Sequence, residues 1–263
     1  TYYGLANRTS PSDASGVRPS INLKSSVRIV DGDGSADNPY RLNGDNEKDL
    51  SGTMLNTRYS GEYIRFGIGE NNLYRIVSHE NGTGTKITSA EPLKSGETFV
   101  ESTFDSNRNV NYSSSNTIGT FLNNDYLNTG NGYLTDEDIA MIEDATTWYL
   151  GTVGSGASYK LAKYTNETDN ILTSSVTTAK VGLLRMGELM AGQFDRYGNN
   201  TNYWTLTPYS SSYVHLVDNY GSARSYSLSS ARGVRPSINL KSNVQIVNGD
   251  GTLNSPFELQ LVS

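Results

Sequence analysis

The residue types that carry most enzymatic chemistry are scarce in this chain. Its 263 residues include no cysteine and two histidines, His79 and His215. The absence of cysteine excludes disulfides, thiolate metal sites and cysteine nucleophiles, and two histidines are too few for a three-histidine metal centre. A Ser-His-Asp triad lacks the Gly-x-Ser-x-Gly turn that would support it. We therefore do not expect an enzyme, although a mixed histidine and carboxylate site stays open.

One acidic segment has the spacing of a calcium loop. Asp31, Asp33 and Asp37 place oxygen atoms at alternating positions of a glycine-rich run, as calcium-binding loops do. The run lacks the bidentate glutamate that such loops carry further along. A glycine-rich hairpin turn, with aspartate supporting left-handed backbone, accounts for the same residues. Calcium held by these three aspartates and a turn without metal both stay open, and no other cofactor is predicted.

The chain contains a long internal repeat. Residues 16–42 align without a gap with residues 233–259, at an offset of 217 residues, and 18 of the 27 positions are identical. Both copies begin GVRPSINLKS. The arginine of this motif would suit an anionic ligand, but we favour a structural role because the repeat preserves it together with its apolar neighbours.

A period of this length is that of a domain, since solenoid repeats recur every 20 to 50 residues or so. We expect residues 1–42 to be the tail of a preceding module and residues 43–263 to be a complete module that ends in its own copy of the tail. A strand predicted at residues 17–23 would have unpaired edges, which seek partners. The tail is therefore expected to dock on the intact module or to swap into a neighbouring molecule.

The residue patterns predict an α+β chain. Alternating and apolar runs predict a hairpin from residues 63–68 and 73–77, a third strand at 85–89, and later strands near 203–204 and 213–217. Capping residues and helical spacing predict two helices, the first starting at Ser115 or Asn116 and the second at Thr135 with Ile139, Ile142 and Ala145 on it. A short third helix is expected near residues 186–190.

Composition and charge narrow the function classes. The net charge of −6 and the sequence pI of about 5.0 argue against nucleic acid and anionic membranes as partners. No apolar run approaches the roughly 20 residues of a membrane helix, so no membrane insertion is expected. The 18 tyrosines and 26 glycines, beside stretches rich in Ser, Thr and Asn, are typical of extracellular recognition proteins.

Several short motifs occur in a definite order: Tyr63-Ile64-Arg65-Phe66, Tyr74-Arg75-Ile76-Val77, Thr117-Ile118 with Phe121-Leu122-Asn123, Leu134-Thr135 with Glu137 and Ile142, Val181-Gly182-Leu183-Leu184 with Glu188, Tyr203-Trp204-Thr205-Leu206-Thr207-Pro208, and Gly233-Val234-Arg235-Pro236. This order resembles bacterial C-type-lectin-like surface domains, which are distantly related to the formylglycine-generating-enzyme fold. The resemblance covers about residues 62–260. Tyr203 and Thr207 depart from the Trp and Ser that the family has there.

The resemblance implies a C-type-lectin-like fold with a twisted antiparallel sheet, two to three helices and long irregular loops. It also implies that ligand is bound just before the GVRP strand, at residues 209–232. The candidate contacts are aromatic or hydrogen-bonding residues: Trp204, Tyr209, Tyr213, His215, Asp218, Tyr220, Arg224 and Tyr226. Trp204 and Trp148 also fit core aromatics. Enzymes of this fold use paired cysteines or a histidine cluster, neither of which is present here.

The leading hypothesis is an adhesion module of a tandem-repeat bacterial surface or pilus protein, extracellular, that binds a glycan or protein on a host or neighbouring cell and adjoins other repeat modules. A structural spacer that binds nothing is the alternative, and a phage receptor-binding protein is a third hypothesis. Comparison of the modules of the full-length protein would distinguish a binding module from a spacer. Variable residues 209–232 on a constant scaffold would favour a binding module, and uniform residues would favour a spacer.

Overall fold

The computed structural model describes residues 5–6, 10–12, 14, 16–23, 27–31, 34–35, 40–43, 50–79, 84–150, 159–160, 176–191 and 201–263. Within them the strands are β1 Leu5–Ala6, β2 Arg28–Asp31, β3 Arg41–Asn43, β4 Tyr63–Arg65, β5 Leu73–His79, β6 Thr85–Ser89, β7 Lys94–Ser95, β8 Thr98–Phe99, β9 Glu101–Thr103, β10 Thr146–Tyr149, β11 Tyr159–Lys160, β12 Val176–Ala179, β13 Val181–Gly182, β14 Tyr203–Ser210, β15 Tyr213–Val217, β16 Ala223–Ser227, β17 Ala231–Gly233, β18 Ser237–Leu240, β19 Val244–Asn248 and β20 Glu258–Leu261. The α-helices in the same residues are α1 Thr117–Thr120, α2 Asp136–Met141 and α3 Met186–Ala191.

Two five-stranded sheets organise the described residues. The first sheet has the strand order β13-β18-β6-β5-β4, and the second has the order β16-β15-β14-β17-β9. A single hydrophobic cluster draws on both sheets, with Ile87 and Ile238 from the first and Trp204 and Leu216 from the second. Mostly sheet with few helices, the architecture confirms the α+β class. The resemblance implies one twisted antiparallel sheet. The described residues instead contain two five-stranded sheets and five two-stranded ones, and β14 pairs with β17 in parallel.

The predicted early strands are confirmed. β4 and β5 pair antiparallel with Tyr63 opposite Arg75, and β5 pairs antiparallel with β6, which spans the predicted residues. Gly67, between β4 and β5, has a positive φ of 92°, and a Cβ there would lie 2.9 Å from the carbonyl oxygen of Tyr133. A glycine is therefore required at this turn.

The helices begin where the capping residues predict. The side chain of Asn116 accepts a hydrogen bond from the Gly119 amide, 3.0 Å away, and α1 continues as a π-helical turn over Phe121–Asp125. Thr135 and Asp138 form a reciprocal capping box at the start of α2. α2 is shorter than expected, because it ends at Met141 and Ile142 is already extended and bridges Leu240 of β18.

The two copies of the repeat differ in environment. In the C-terminal copy, β18 lies between β6 and β13 and its four residues are buried. In the N-terminal copy, residues 16–23 are exposed and form no strand, so the strand predicted at 17–23 is wrong in this chain. The reason is that a strand needs a partner edge, and the edge that β18 occupies is already taken. Docking or swapping of the tail stays a prediction.

Arg235 of the GVRP motif has a structural role. Its side chain is 2% exposed, and the guanidinium donates to the carbonyl oxygens of Ser89 and Ala90 at 2.8 and 3.2 Å and to the Tyr203 hydroxyl at 2.9 Å. It thereby joins the end of β6 in the first sheet to β14 in the second. Arg18, the equivalent residue of the N-terminal copy, is exposed.

We predict that Arg235→Ala lowers the free energy of unfolding by about 2 to 4 kcal/mol, because two carbonyls and a buried hydroxyl lose their donor. Arg18→Ala is the matched control and should change it by less than about 0.5 kcal/mol. Urea denaturation of both variants measures the difference. Equal losses in the two variants would contradict the structural role assigned to Arg235.

A buried ionic cluster joins α3 to the first sheet. The Lys86 ammonium lies 2.7 Å from a carboxylate oxygen of Glu188 and 4.6 Å from the centre of the Trp148 ring. The Arg185 amide donates to the same carboxylate at 2.8 Å. Burial alone would raise the pKa of Glu188, but Lys86 and Arg185 hold that pKa below its ordinary value. Glu188 is therefore ionised in the folded protein.

We predict that the stabilisation from Glu188 is fully present above its ordinary pKa of 4.5 and is lost as the pH falls through its lowered pKa. Glu188→Gln should cost about 3 kcal/mol at pH 7, because Lys86 keeps a buried charge without its carboxylate. The variant should also lose less stability than the native chain between pH 5 and 3. Chemical denaturation across this range measures both effects.

The surface pair Glu91–Lys94, with nitrogen and oxygen 3.0 Å apart, supplies the control. Glu91→Gln should cost less than about 1 kcal/mol because water screens that pair. Identical pH profiles for the Glu188→Gln and native chains would disprove the assignment of an acid-sensitive carboxylate at Glu188.

Candidate functional site

The predicted ligand-binding segment, residues 209–232, is built mainly of strands. It contains the end of β14, all of β15 and β16, and the start of β17. The strand predicted near residues 213–217 is confirmed as β15, but the long irregular loop that the resemblance implies for the rest of the segment is wrong, because β16 follows. β15 is buried from Val214 to Val217 and pairs with β14 on one side and β16 on the other, so its apolar side chains and its backbone are both satisfied only as part of a sheet.

The ladder sorts the candidate residues onto two faces. In β15, Val214 and Leu216 face the core, and their cross-strand partners in β16 are Tyr226 and Arg224. Tyr213 and His215 point to the opposite face, where their partners are Ser227 and Ser225. The eight candidate residues therefore do not form one continuous site.

One of these faces carries a row of aromatic and hydroxyl groups. We call it the tyrosine face and define it by Tyr209, Tyr213, His215, Ser225 and Ser227. Tyr209 and Tyr213 are 36% and 45% exposed. The Tyr209 ring stands nearly perpendicular to the His215 ring, with centroids 5.1 Å apart. A ligand that reaches this face meets two tyrosine rings and the serine hydroxyls beside them.

His215 supports this face from below. Its side chain is buried, and its Nδ1 lies 3.1 Å from the Arg224 carbonyl oxygen, to which it donates. Burial lowers the pKa of His215, partly offset by that hydrogen bond. The imidazole is therefore neutral near pH 7 and acts as a packing surface for Tyr209 rather than as a charged ligand contact.

Asp218 organises the turn between β15 and β16. One carboxylate oxygen accepts hydrogen bonds from the Tyr220 and Ser222 amides at 3.0 and 2.8 Å, and the other accepts from Arg224 Nε at 3.1 Å. Desolvation raises the pKa of Asp218, but the hydrogen bonds from Ser222, Arg224 and Tyr220 lower it overall. Tyr220 projects from this turn and is 68% exposed.

Two further candidates lie away from the tyrosine face. Tyr226 is partly exposed, and the Arg232 guanidinium lies over its ring at 4.3 Å from the centroid. Trp204 is 1% exposed, donates from Nε1 to the Ser102 carbonyl oxygen at 2.9 Å and packs edge-to-face against Phe104. A ligand cannot reach Trp204, so it is a core residue.

The candidate calcium ligands fall largely outside the described residues. Asp33 and Asp37 lie outside them, and Asp31 is described only as the last backbone position of β2. In the equivalent loop of the C-terminal copy, the Asp250 carboxylate accepts a hydrogen bond from the Thr252 amide at 3.0 Å. Bonds from Thr252 lower the pKa of Asp250. That geometry is an Asx-turn, and calcium at the first copy stays a prediction.

In the described part of the chain, no group of three or more His, Cys, Asp or Glu residues is arranged to hold a metal ion. His79, the other histidine, lies beside the Arg58 carbonyl and the Thr85 hydroxyl. Burial lowers the pKa of His79. The same part of the chain has no helix whose length and apolar character would let it cross a membrane.

The structure also shows a cleft that sequence reasoning did not find. It has a volume of about 290 Å³ and is lined by residues of β4, β5 and the turns beside them, among them Tyr63, Arg65, Glu70, Arg75 and Glu91. Arg75 lies over the Tyr63 ring at 4.6 Å and donates to the Gly61 carbonyl oxygen at 2.9 and 3.0 Å. Two of the sequence motifs contribute Tyr63, Arg65 and Arg75 to the cleft, but their spacing does not show that these side chains line a shared surface with Glu70 and Glu91.

No protein-family model matches the chain, and searches of curated proteins and of solved structures give no significant match. The resemblance to bacterial C-type-lectin-like domains therefore stays a prediction.

We predict that Asp218→Ala loosens the turn between β15 and β16, because the Tyr220 and Ser222 amides lose their acceptor. Hydrogen exchange at these two amides should become at least about tenfold faster, which NMR can follow. Asp218→Asn keeps one acceptor oxygen and should have a smaller effect. If exchange is unchanged in Asp218→Ala, the carboxylate does not hold this turn.

Proposed function

We propose that this chain is an extracellular ligand-binding module of C-type-lectin-like fold, from a tandem-repeat bacterial surface protein, and that it binds a glycan or protein through the tyrosine face. The observation that carries the proposal is the pair of exposed tyrosines, Tyr209 and Tyr213, on adjoining strands of a sheet. The resemblance in motif order and the domain-sized repeat support it.

A rigid tyrosine surface suits recognition for a physical reason. Tyrosine offers a large apolar ring and a hydrogen-bonding hydroxyl, and it loses little conformational entropy on binding because it has two side-chain torsions. Here the rings are held by the ladder beneath them, with Tyr213 opposite Ser227 and Tyr209 against His215. The surface is thus organised before a ligand arrives, which lowers the cost of binding.

Neighbouring polar groups extend this surface. The Ser227 and Ser229 hydroxyls lie 3.0 Å apart, and Ser225 lies opposite His215 on the edge strand β16. Hydroxyl groups next to aromatic rings match a sugar, which presents hydroxyl edges and apolar C–H faces, and they also match a polar peptide. The net charge of −6 gives no support to a polyanionic ligand.

We predict that the full chain binds members of a panel of immobilised glycans and extracellular matrix proteins, and that Tyr213→Ala weakens this binding at least about tenfold. Loss of the ring removes apolar contact area and a hydroxyl at the centre of the tyrosine face. Biolayer interferometry, with and without calcium, gives the affinity of each variant.

Tyr59→Ala is the matched control, because Tyr59 is 41% exposed and lies outside the tyrosine face. It should bind as the native chain does. Absence of binding across the whole panel would favour the spacer hypothesis, and equal losses in the two variants would place the binding surface elsewhere.

A further inference from the structure

The exposed N-terminal copy of the repeat has the side chains that fill a groove elsewhere in the molecule. In the C-terminal copy, Val234, Ile238 and Leu240 are completely buried. The equivalent Val17, Ile21 and Leu23 are 92%, 78% and 54% exposed. Identical residues therefore occur once as core and once as surface, which is an unusual state for three large apolar side chains within seven residues.

The groove that receives the C-terminal copy lies between β6 and β13. β18 pairs with β6 over four residues and with β13 over two. The Ser237 hydroxyl donates to the Ile87 carbonyl oxygen at 2.8 Å, and Arg235 donates to the carbonyl oxygens of Ser89 and Ala90. Every residue from 233 to 242 is the same in the N-terminal copy, so this groove cannot distinguish the two copies by sequence.

The hairpins that follow also match in register. In the N-terminal copy Ile29 pairs with Leu42, and Asp31 pairs with Arg41 after a bulge. In the C-terminal copy the pairs at the equivalent positions are Ile246 with Leu259 and Asn248 with Glu258, after the same bulge. The N-terminal copy thus already has the local hairpin shape that the C-terminal copy has in place.

The turn of each hairpin repeats this likeness. Gly34 and Gly251 occupy equivalent positions and have φ values of 79° and 78°. A Cβ on either glycine would lie 2.6 Å from an aromatic ring carbon, that of Tyr40 in the first copy and of Phe257 in the second. The same close approach of ring to backbone forms in both copies.

We propose that the groove between β6 and β13 is a binding site for residues 17–42 of the same chain, which can take the place of residues 234–259. The ligand class is a segment with the sequence Val-Arg-Pro-Ser-Ile-Asn-Leu followed by a hairpin. The groove can then be occupied by either the N-terminal or the C-terminal copy of the repeat. This inference is independent of the tyrosine face and its ligand.

The geometry around β19 favours the chain's own N-terminal copy as the occupant. Asn43 is equivalent to Gln260, which lies opposite Gln245 in β19, and Met54 bridges the other side of Gln245. These two positions are two strand spacings apart, about 10 Å, and residues 44–49 alone reach about 20 Å when extended. A short tether gives an effective concentration in the millimolar range, about a thousandfold above that of a second chain at micromolar concentration.

The first test compares the thermal unfolding of four full-length chains: native, Ile21→Asp, Ile238→Asp and the double variant. Ile21→Asp should leave the melting temperature within about 1 °C, since Ile21 is exposed. Ile238→Asp should lower it by a few degrees, because the N-terminal copy then closes the groove. The double variant, with a buried aspartate in either arrangement, should lose at least twice as many degrees as Ile238→Asp.

If Ile238→Asp and the double variant melt at the same temperature, the N-terminal copy gives no rescue and the proposal is overturned. This comparison decides the question even if Ile238→Asp is severely destabilised, because both chains carry the same damaged C-terminal copy.

A second test traps the segment in the groove. The chain has no cysteine, so two introduced thiols meet no native thiol and can pair only with introduced ones. Ser20 is equivalent to Ser237, whose cross-strand partner in β6 is Thr88. Ser20→Cys with Thr88→Cys, in the Ile238→Asp chain, should form a disulfide within a monomer, identified by peptide mapping and light scattering.

Ser237→Cys with Thr88→Cys in the otherwise native chain is the positive control, because these two positions already face each other. If the control forms its disulfide and the Ser20→Cys pair does not, the groove does not take the N-terminal copy. A disulfide-linked dimer would assign the occupant to a second chain and overturn closure by the same chain.

Discussion

The position of β18 between β13 and β6 in the first sheet is the constraint on which the rest of the structure depends. β18 joins β6 to β13, and the arginine just before it, Arg235, joins that sheet to Tyr203 in the second. Without this strand the edges of β6 and β13 would be open and the buried face of the sheet would reach water. The segment that supplies β18 is also the segment that the chain repeats.

The contact between Arg235 and Tyr203 also helps to fix the position of the second sheet. Tyr203 lies at the start of β14, and β14 carries Tyr209 at its other end, so the arginine that fixes Tyr203 also helps to orient the tyrosine face. From the other side, Met186 of α3 packs against Tyr203 and Val217. α3 is itself tied to β6 by the Lys86–Glu188 pair. Core contacts and the candidate binding surface therefore form one connected arrangement.

Much of the local structure could be predicted because it depends on neighbours in sequence. The capping residues Asn116 and Thr135 locate two helices, and short alternating or apolar runs between turn residues locate β5, β6 and β15. The candidate site was predicted less well. The pattern of apolar residues does not predict that Trp204 is buried or that Tyr213 and Tyr226 lie on opposite faces of the sheet. Both depend on which strands become neighbours in the fold.

By itself, the sequence determined the α+β class, the residues at which two helices begin, the repeat and the turn geometry that both copies share, since these follow from short-range sterics and hydrogen bonding. Only the tertiary structure decided which copy is core. Residues 16–23 and 233–240 are identical, yet the first segment is exposed and the second is buried and supplies β18, which is paired on both sides. The physical reason is that a strand is stabilised by its partners, and one groove accommodates one segment at a time.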